Sequence, residues 1–336
     1  MGSKQLKWAA IGASDIAAGK MIPAIRATGG EVVAVLSSSA ERGAQYAQAH
    51  HIDASYTDLQ QLLVEADSDA VYISTTNELH SEQVLAAAAA GKHVLCEKPL
   101  STSLEEAKRM AAACREAGVV MATNHHLRNS HSHVVMRDLV RSGVIGRPNS
   151  ARVFHAVYLR ESLQGWRINQ AAAGGGVVLD ITVHDIDSLR FLLDANPTEA
   201  VSLSHNAGMA AGTLEDGNMA VVRFDNDLLA QIHVSFSVPH AGHGLEIHGD
   251  KGSIIATGVM AQGGEQKVTL RTADGEQQFD IEPSNYYVAG LEAFNRAVAG
   301  EGEVAASAED GLWSLASALA VLQSAEQGRQ VAISLG

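Results

Sequence analysis

The chain has 336 residues, of which 46% are hydrophobic and 18% are charged, and its net charge is −14. This length can supply two domain cores, and the acidic balance offers no basic face for nucleic acid or anionic lipid. No apolar run approaches the ~20 residues of a membrane span, and no secretion signal is expected at the start. Cys96 and Cys114 are expected to be free thiols, which suits a cytoplasmic protein.

The first part of the chain alternates between strand and helix signals. Strands are predicted at 6–11, 31–36, 70–74, 93–97 and 119–123, and helices at 39–50, 57–66, 78–90 and 103–117. An earlier helix is expected to begin near Asp15 and to break at Pro23, and capping boxes are expected at Ser38/Glu41 and Thr102/Glu105. Short links between strand and helix favour a parallel sheet covered on both faces. The sequence therefore predicts an α/β Rossmann dinucleotide-binding domain over residues 1–124.

The first strand leads into the turn Gly12-Ala13-Ser14-Asp15-Ile16-Ala17. Gly12 and Ala17 fit the first and third positions of the dinucleotide fingerprint, while Ser14 replaces its middle glycine. A small hydroxyl still lets the backbone approach a pyrophosphate. All six residues of the turn are therefore predicted to contact the cofactor.

The end of the second strand indicates which cofactor binds. An NAD enzyme usually carries a carboxylate there for the ribose hydroxyls, whereas this chain has Ser37 and Ser38, with Arg42 one helical turn later. Hydroxyls and a guanidinium suit a 2′-phosphate, so NADP(H) is predicted. Glu41 is the competing ribose ligand, but a capping role is preferred for it.

A lysine ends the strand at 93–97, within Glu97-Lys98-Pro99. Proline favours an extended residue before it, and ligands bind at the carboxyl ends of parallel strands. Lys98 is therefore predicted to hold a cofactor ribose or to polarise a substrate hydroxyl.

From about residue 150 the regular alternation of strand and helix signals ends, and β-rich segments joined by turns follow. Strands are predicted at 151–158, 200–205, 219–224, 229–236, 244–248, 253–256, 267–271 and 277–281, and helices at 129–142, 182–193, 286–299 and 308–326. This pattern predicts an α+β substrate-binding domain over residues 125–336, with a large, mostly antiparallel sheet.

Asp180 and His184 stand four residues apart after three glycines, so on a helix they share one face. An imidazole to protonate an alkoxide and a carboxylate to orient the substrate are what a carbonyl reductase needs. Asp185 and Asp187 are expected to point elsewhere and to be solvated.

Histidines cluster over residues 123–133, in TNHHLRNSHSH. His125 and His126 would alternate faces at a strand end, so no metal site is predicted here. We expect instead a wall of the active site, with Asn124 facing the cofactor.

Together, GASDIA, STTNELH, GKHVLCEKPL, TNHHLRN, LQGWR and GGGVVLDITVHDIDSLRF resemble the glucose–fructose oxidoreductase / inositol dehydrogenase (Gfo/Idh/MocA) family. The resemblance covers nearly the whole chain. It implies that Lys98, Asp180 and His184 are catalytic, and that Ser14, Ser37 and Arg42 select NADP. The resemblance also implies that further residues contact the cofactor or the substrate, namely Ser74, Thr75, Thr76, Asn77, Leu79, His80, Glu97, His155, Trp166, Arg167 and Tyr287. Of these, His155 and Trp166, with Lys98, Asp180 and His184, are expected to contact substrate.

The function that this resemblance implies is NADPH-dependent reduction of a small cyclic sugar or polyol ketone. An inositol or other polyol dehydrogenase, a glycosidase that uses bound NAD, and a non-catalytic NADP-binding regulator are the alternatives. The partner is expected to be a small-molecule substrate, without nucleic acid or membrane. The chain is expected to be either a monomer or a homo-oligomer assembled through its second sheet.

Overall fold

A computed structural model describes residues 5–336 and divides the chain into two compact units. The first unit extends to His126 and includes Asn285–Leu312, and the second consists of Leu127–Ser284 and Trp313–Gly336. The first unit thus takes a segment from the C-terminal part of the chain, which differs from the sequence-based division at residue 124.

A parallel sheet forms the centre of the first unit. In the described residues it has six strands, which are β1 (Lys7–Ile11), β2 (Glu31–Leu36), β3 (Ala54–Tyr56), β4 (Ala70–Ile73), β5 (His93–Cys96) and β6 (Met121–Thr123). Their order is β3-β2-β1-β4-β5-β6, so the direction of winding reverses between β1 and β4. Ligands bind at such a reversal, outside the carboxyl ends of the strands. The predicted Rossmann sheet is confirmed, although β3 was not predicted.

Helices connect these strands. They are α1 (Ile22–Ala27), α2 (Ala40–His50), α3 (Leu59–Glu65), α4 (His80–Ala89) and α5 (Leu104–Glu116). Pro23 does not break the first helix, since helical residues run without a break from Asp15 to Ala27, with a π-helical turn at Ala17–Met21 just before Pro23. The N-caps of α2 and α5 are Ser39 and Ser103, one residue after the predicted caps.

The second unit carries a mixed sheet. In the described residues its strands are β7 (Pro148–Ala156), β8 (Pro197–His205), β9 (Gly217–Phe224), β10 (Leu229–Ser235), β11 (His243–Gly249), β12 (Gly252–Thr257), β13 (Lys267–Thr272), β14 (Gly275–Phe279) and the short terminal β15 (Val331–Ala332). The order is β14-β13-β12-β11-β7-β10-β9-β8-β15, and all neighbours are antiparallel except β7 and β10. The prediction of a mostly antiparallel sheet is confirmed.

Helices α6 (His131–Arg141), α7 (Gly165–Asn169) and α8 (Val183–Leu193) belong to the second unit. A π-helical turn, Val178–Thr182, leads directly into α8. Helix α8 packs on β7 and on α6, and the π-helical turn contacts β10, which places this turn beside the middle of the sheet.

Helix α9 (Tyr286–Val298) returns the chain to the first unit, and α10 (Ala308–Gln327) is the last helix. Leu291 and Phe294 of α9 are buried in the core of the first unit, where the Phe294 ring lies 5.1 Å from that of Trp8. Burying an aromatic or aliphatic side chain of this kind contributes about 1.5–3 kcal/mol. This apolar face of α9 explains why residues 285–312 belong to the first unit and not to the second. No helix within residues 5–336 is both long enough and apolar enough to cross a membrane.

Candidate functional site

The predicted cofactor turn follows β1 and packs closely on the end of β4. Gly12 has φ +110°, and a Cβ on it would lie 3.1 Å from the backbone carbonyl of Ser74 at the end of β4. Glycine is therefore required both by the conformation and by the close approach. The Ser14 hydroxyl contacts that of Ser74 at 2.7 Å and accepts a hydrogen bond from the Ala17 N–H. The Asp15 side chain is exposed.

The end of β2 and the following helix α2 both contact this turn. Ser37 is buried, Ser38 is exposed, and Arg42 donates from Nη2 to the Ala13 carbonyl at 2.6 Å. Tyr46, which the sequence analysis did not single out, donates from its hydroxyl to the Ser14 carbonyl at 2.8 Å. The predicted Ser–Arg set is therefore next to the predicted turn.

The loop after β4 contains the predicted residues 74–80. Thr75 donates to the Gln83 side chain at 2.7 Å, Thr76 donates to Glu78, and Leu79 is exposed. Asn77 is buried. The Thr76 contact thus stays within the loop, whereas the Thr75 contact reaches helix α4.

His80 links this loop to the Lys-Pro segment. Its Nδ1 lies 3.0 Å from the Pro99 carbonyl and its Nε2 lies 3.3 Å from that of Thr75. Burial lowers the pKa of His80, and the two carbonyls partly oppose this shift. Since the ring is fully buried, His80 acts as a support that joins two strand-end loops.

A hydrogen-bond cluster fixes Glu97 beside Lys98. Tyr72 and Asn124 each donate to Oε1 of Glu97 at 2.6 Å, and the peptide between Lys98 and Pro99 is cis. Burial raises the pKa of Tyr72 well above its usual value near 10, so this hydroxyl keeps its proton. Lys98 itself is half-buried.

Tyr287 completes this part of the first unit. It is buried and stacks on His126 with ring centroids 5.0 Å apart. Burial, followed by the charge of Glu97, raises the pKa of Tyr287. Tyr287 therefore lies within the electrostatic reach of Glu97, in the group of residues at the ends of β4, β5 and β6.

In the second unit, Asp180 lies in the π-helical turn before α8, and His184 lies in the first turn of α8. Both residues are 8% exposed. Oδ2 of Asp180 lies 3.3 Å from Nε of Arg167, whose guanidinium is 4.7 Å from the ring of Trp166. The predicted Trp-Arg pair and Asp180 are thus joined, and π-helical turns are frequent at functional sites.

Glu215 supports the start of this π-helical turn from the strand side. Its Oε1 accepts from the Val178 N–H at 3.0 Å, and its backbone carbonyl accepts from the Val177 N–H at 3.1 Å. Burial raises the pKa of Glu215, while the Val178 N–H opposes the shift and the nearby Asp216 adds to it. No sequence pattern singled Glu215 out.

Asp185 and Asp187 were expected to be solvated, and this prediction is wrong. Asp185 is fully buried, and its Oδ1 lies 2.8 Å from Nδ1 of His155. Asp187 is buried in an ion pair with Arg128 at 2.7 Å. Burial raises the pKa of Asp185, and His155 opposes that shift. Helix α8 is covered on several sides, so both carboxylates meet cationic or imidazole partners in place of water.

The histidine-rich stretch is divided between the two units. His125 is buried, and His133 lies between the hydroxyls of Ser130 and Ser188. Within residues 5–336, no group of three or more His, Cys, Asp or Glu side chains is arranged to hold a metal ion.

Residues 6–125 match the family model of an oxidoreductase family with an NAD-binding Rossmann fold, and residues 133–255 match the Gfo/Idh/MocA C-terminal domain. The chain is also 54% identical to 1,5-anhydro-D-fructose reductase of Ensifer adhaerens, over 98% of this chain and 99% of the relative. The chain belongs to the Gfo/Idh/MocA oxidoreductase family.

More distant relatives are named for other activities. Myo-inositol 2-dehydrogenase of Thermotoga maritima is 29% identical over 83% of this chain and 84% of the relative. The crystal structure of aldose-aldose oxidoreductase from Caulobacter crescentus has a TM-score of 0.89 at 24% identity, covering 98% of this chain and all of that one. That structural likeness shows the shared fold.

Proposed function

We propose that this Gfo/Idh/MocA oxidoreductase reduces 1,5-anhydro-D-fructose with NADPH and that the product is 1,5-anhydro-D-mannitol. The observation that carries the proposal is the 54% identity to the Ensifer reductase along almost the full length of both chains. The matched region covers 98% of this chain and therefore spans both the cofactor turn and the Asp180–His184 segment. The shared fold alone would not choose a substrate.

NADPH is proposed over NADH from the chemistry at the end of β2. Ser37 and Ser38 follow this strand, where an NAD enzyme usually carries a carboxylate. Arg42 reaches the cofactor turn and carries a guanidinium that pairs well with phosphate. The proposal therefore assigns the 2′-phosphate to Ser37, Ser38 and Arg42.

In this proposal the two units have different binding roles. The first unit carries most of the residues assigned to the cofactor above, and the second, mainly within 125–336, binds the sugar through His155, Trp166, Asp180 and His184. A Cβ at Gly12 would fill the space in front of the Ser74 carbonyl, which is consistent with a backbone shaped for a pyrophosphate. The bound nicotinamide supplies the hydride for the substrate carbonyl.

The side chains supply the proton and hold the substrate. Reduction of a ketone leaves an alkoxide, and His184 is proposed to protonate it, since an imidazole ordinarily titrates near neutral pH. Asp180, oriented by Arg167, accepts hydrogen bonds from substrate hydroxyls. Lys98 binds the substrate oxygen and the cofactor ribose, and it is the alternative proton donor.

A direct assay of NADPH oxidation tests the proposed substrate. NADPH oxidation is followed with 1,5-anhydro-D-fructose, an inosose and simple aldoses, each also with NADH. The proposal predicts the highest kcat/KM for anhydrofructose with NADPH. Preference for an inosose, or oxidation of a polyol with NAD, would assign the chain instead to the dehydrogenases of the family. Hydrolysis of a glycoside without net cofactor turnover would indicate a glycosidase.

The proton donor is tested by comparing two variants. His184→Ala is expected to lower kcat by about 10²–10⁴-fold, because that is the usual contribution of general-acid catalysis. NADPH binding by fluorescence titration is expected to stay unchanged in this variant. If His184→Ala keeps a near-normal kcat while Lys98→Ala abolishes it, the proton comes from Lys98.

A further inference from the structure

Two side chains of helix α2 hold successive carbonyls of the cofactor turn, which is defined here as residues 12–17. Arg42 Nη2 lies 2.6 Å from the Ala13 carbonyl, and the Tyr46 hydroxyl lies 2.8 Å from the Ser14 carbonyl. Arg42 and Tyr46 are four residues apart, so they point from one face of α2. The two contacts therefore form a single point of attachment between α2 and the turn.

Helix α2 is itself held rigidly where these contacts begin. Ser39 caps its N-terminus by accepting from the Arg42 N–H, and a Cβ on Gly43 would lie 3.2 Å from that of Ser37. The glycine thus lets the helix lie close to the end of β2. At the other end of α2, Arg26 donates to the carbonyls of His50 and His51.

The Tyr46 hydroxyl is suited to permanent donation. Burial raises the pKa of Tyr46 to about 12, and the charge of Asp15 adds to this shift. The hydroxyl therefore keeps its proton at every pH at which the enzyme would be assayed. Its ring is further fixed by His50, with centroids 4.5 Å apart.

Holding these carbonyls also orients the N–H groups of the turn. A trans peptide is planar, with its C=O and N–H pointing in opposite directions. The Ser14 carbonyl also accepts from the Ala18 N–H at 3.0 Å, and its second hydrogen bond, from Tyr46, helps to direct the Asp15 N–H away from α2. The first N–H groups of a helix are the ones that bind phosphate, so their direction determines cofactor affinity.

We propose that Tyr46 is a positioning residue for the cofactor and that Arg42 has two roles, as a ligand of the 2′-phosphate and as a support of the turn. The proposal rests on the cofactor site of the proposed function. A guanidinium has five N–H donors, so Arg42 can hold the Ala13 carbonyl and a phosphate together. Arg42 thereby supports the binding of NADH as well as NADPH.

The test measures Kd for NADPH and for NADH by fluorescence titration in the wild type and in two variants. Tyr46→Phe keeps the ring but loses one hydrogen bond, so both Kd values are expected to rise by the same factor, about 2- to 12-fold. Arg42→Ala is expected to raise the Kd of NADH by a similar factor. The Kd of NADPH should rise by about a further 10- to 100-fold, because a charge-assisted contact is also lost.

Two further readouts separate positioning from general loss of structure. Arg26→Ala removes an arginine that also donates to backbone carbonyls of α2 but does not contact the turn, so both Kd values are expected to stay at the wild-type level. At saturating NADPH, Tyr46→Phe is expected to keep the wild-type kcat while its KM for NADPH rises.

The proposal is overturned if Tyr46→Phe binds both cofactors as the wild type does, or if Arg42→Ala weakens NADPH alone. It is also overturned if Arg26→Ala weakens both cofactors as much as Tyr46→Phe does. Equal affinity of the wild type for NADPH and NADH would refute the proposed cofactor preference, but it would leave the predicted effect of both variants on NADH intact.

Discussion

Tyr72 is a fully buried side chain whose only polar atom is directed at a predicted site residue. It lies on β4, and its hydroxyl donates to the Glu97 carboxylate next to Lys98. A buried hydrogen bond to a carboxylate restricts where that carboxylate can lie. Tyr72 therefore contributes to the site by holding Glu97, although it belongs to the hydrophobic core by position.

Tyr72→Phe should lower kcat/KM by about 2- to 12-fold, because it removes one hydrogen bond and leaves Glu97 held by Asn124 alone. Steady-state kinetics with the proposed substrate measure the effect, and thermal unfolding checks that the variant is folded. Tyr158→Phe, which removes the hydroxyl of an exposed tyrosine, is the matched control. An unchanged kcat/KM in Tyr72→Phe would mean that Asn124 suffices to position Glu97.

Residues that act through others are the ones that the sequence could not reveal. Gly12, Lys98 and Asp180 occur in patterns with a chemical meaning, so they could be predicted as candidates. Tyr72 lies in an apolar strand and Glu215 in a polar loop, where neither forms a recognisable motif, and their partners are 25 and 37 residues away. Such contacts depend on how strands and helices pack, which local spacing does not specify. The same limit explains the wrong prediction for Asp185 and Asp187.

At the scale of elements, the turn between β1 and the following helix depends on glycine. Gly12→Ala should lower the free energy of unfolding by about 1–3 kcal/mol, since alanine is strained at φ +110°. It should also weaken NADPH binding by at least about tenfold, because the added Cβ crowds the Ser74 carbonyl. Denaturant unfolding and fluorescence titration measure the two effects.

Gly91→Ala is the control for this variant. Gly91 also has positive φ, at +69°, but no atom lies within 4 Å of an added Cβ. It should lose stability by about 1–2 kcal/mol and bind NADPH normally. If Gly12→Ala binds NADPH as well as Gly91→Ala does, the turn is not the phosphate site.

The π-helical turn before α8 depends on a buried carboxylate with a raised pKa. The folded-state pKa of Glu215 lies above its ordinary value of 4.5, so the folded state binds more protons than the unfolded state between these two values. Stability contributed by this proton is present below 4.5 and is lost as pH rises through the folded-state pKa. Glu215→Gln removes this titration and keeps an oxygen that can accept from the Val178 N–H.

The free energy of unfolding of Glu215→Gln should therefore increase relative to that of the wild type as pH rises above 4.5. Urea unfolding of both proteins at several pH values up to neutral measures the difference. Asp185, whose pKa is also raised, is present in both proteins and cancels from the comparison. A difference that stays constant with pH would show that Glu215 titrates alike in the folded and unfolded states.

Regular elements were predictable for a related physical reason. Apolar strands such as Ala70–Ile73 and helices ended by glycine carry their signal in consecutive residues, so the alternation of the first sheet could be read directly. The short strand Ala54–Tyr56 has too few residues for a pattern, and it was missed. The observed caps lie one residue after the predicted ones, because the neighbouring hydroxyl residues Ser38 and Ser39, and likewise Thr102 and Ser103, offer nearly equivalent caps.

At the scale of the whole molecule, segments that are neighbours in sequence do not always belong to the same compact unit. Helix α9 follows strand β14 of the second sheet in sequence but packs in the first unit, where Tyr287, Leu291 and Phe294 are buried. Amphipathic spacing predicts such a helix but does not say which core receives its apolar face. As a result, Tyr287 could be assigned near the cofactor only through the family resemblance.

The central claim for the whole molecule is hydride transfer from NADPH to the carbonyl of a cyclic sugar ketone. It is tested most directly by incubating the enzyme with 1,5-anhydro-D-fructose and NADPH that carries deuterium at the transferable position, followed by NMR of the sugar product. The account predicts deuterium on the former carbonyl carbon, in 1,5-anhydro-D-mannitol. Unchanged anhydrofructose after prolonged incubation with folded, NADPH-binding enzyme would contradict it.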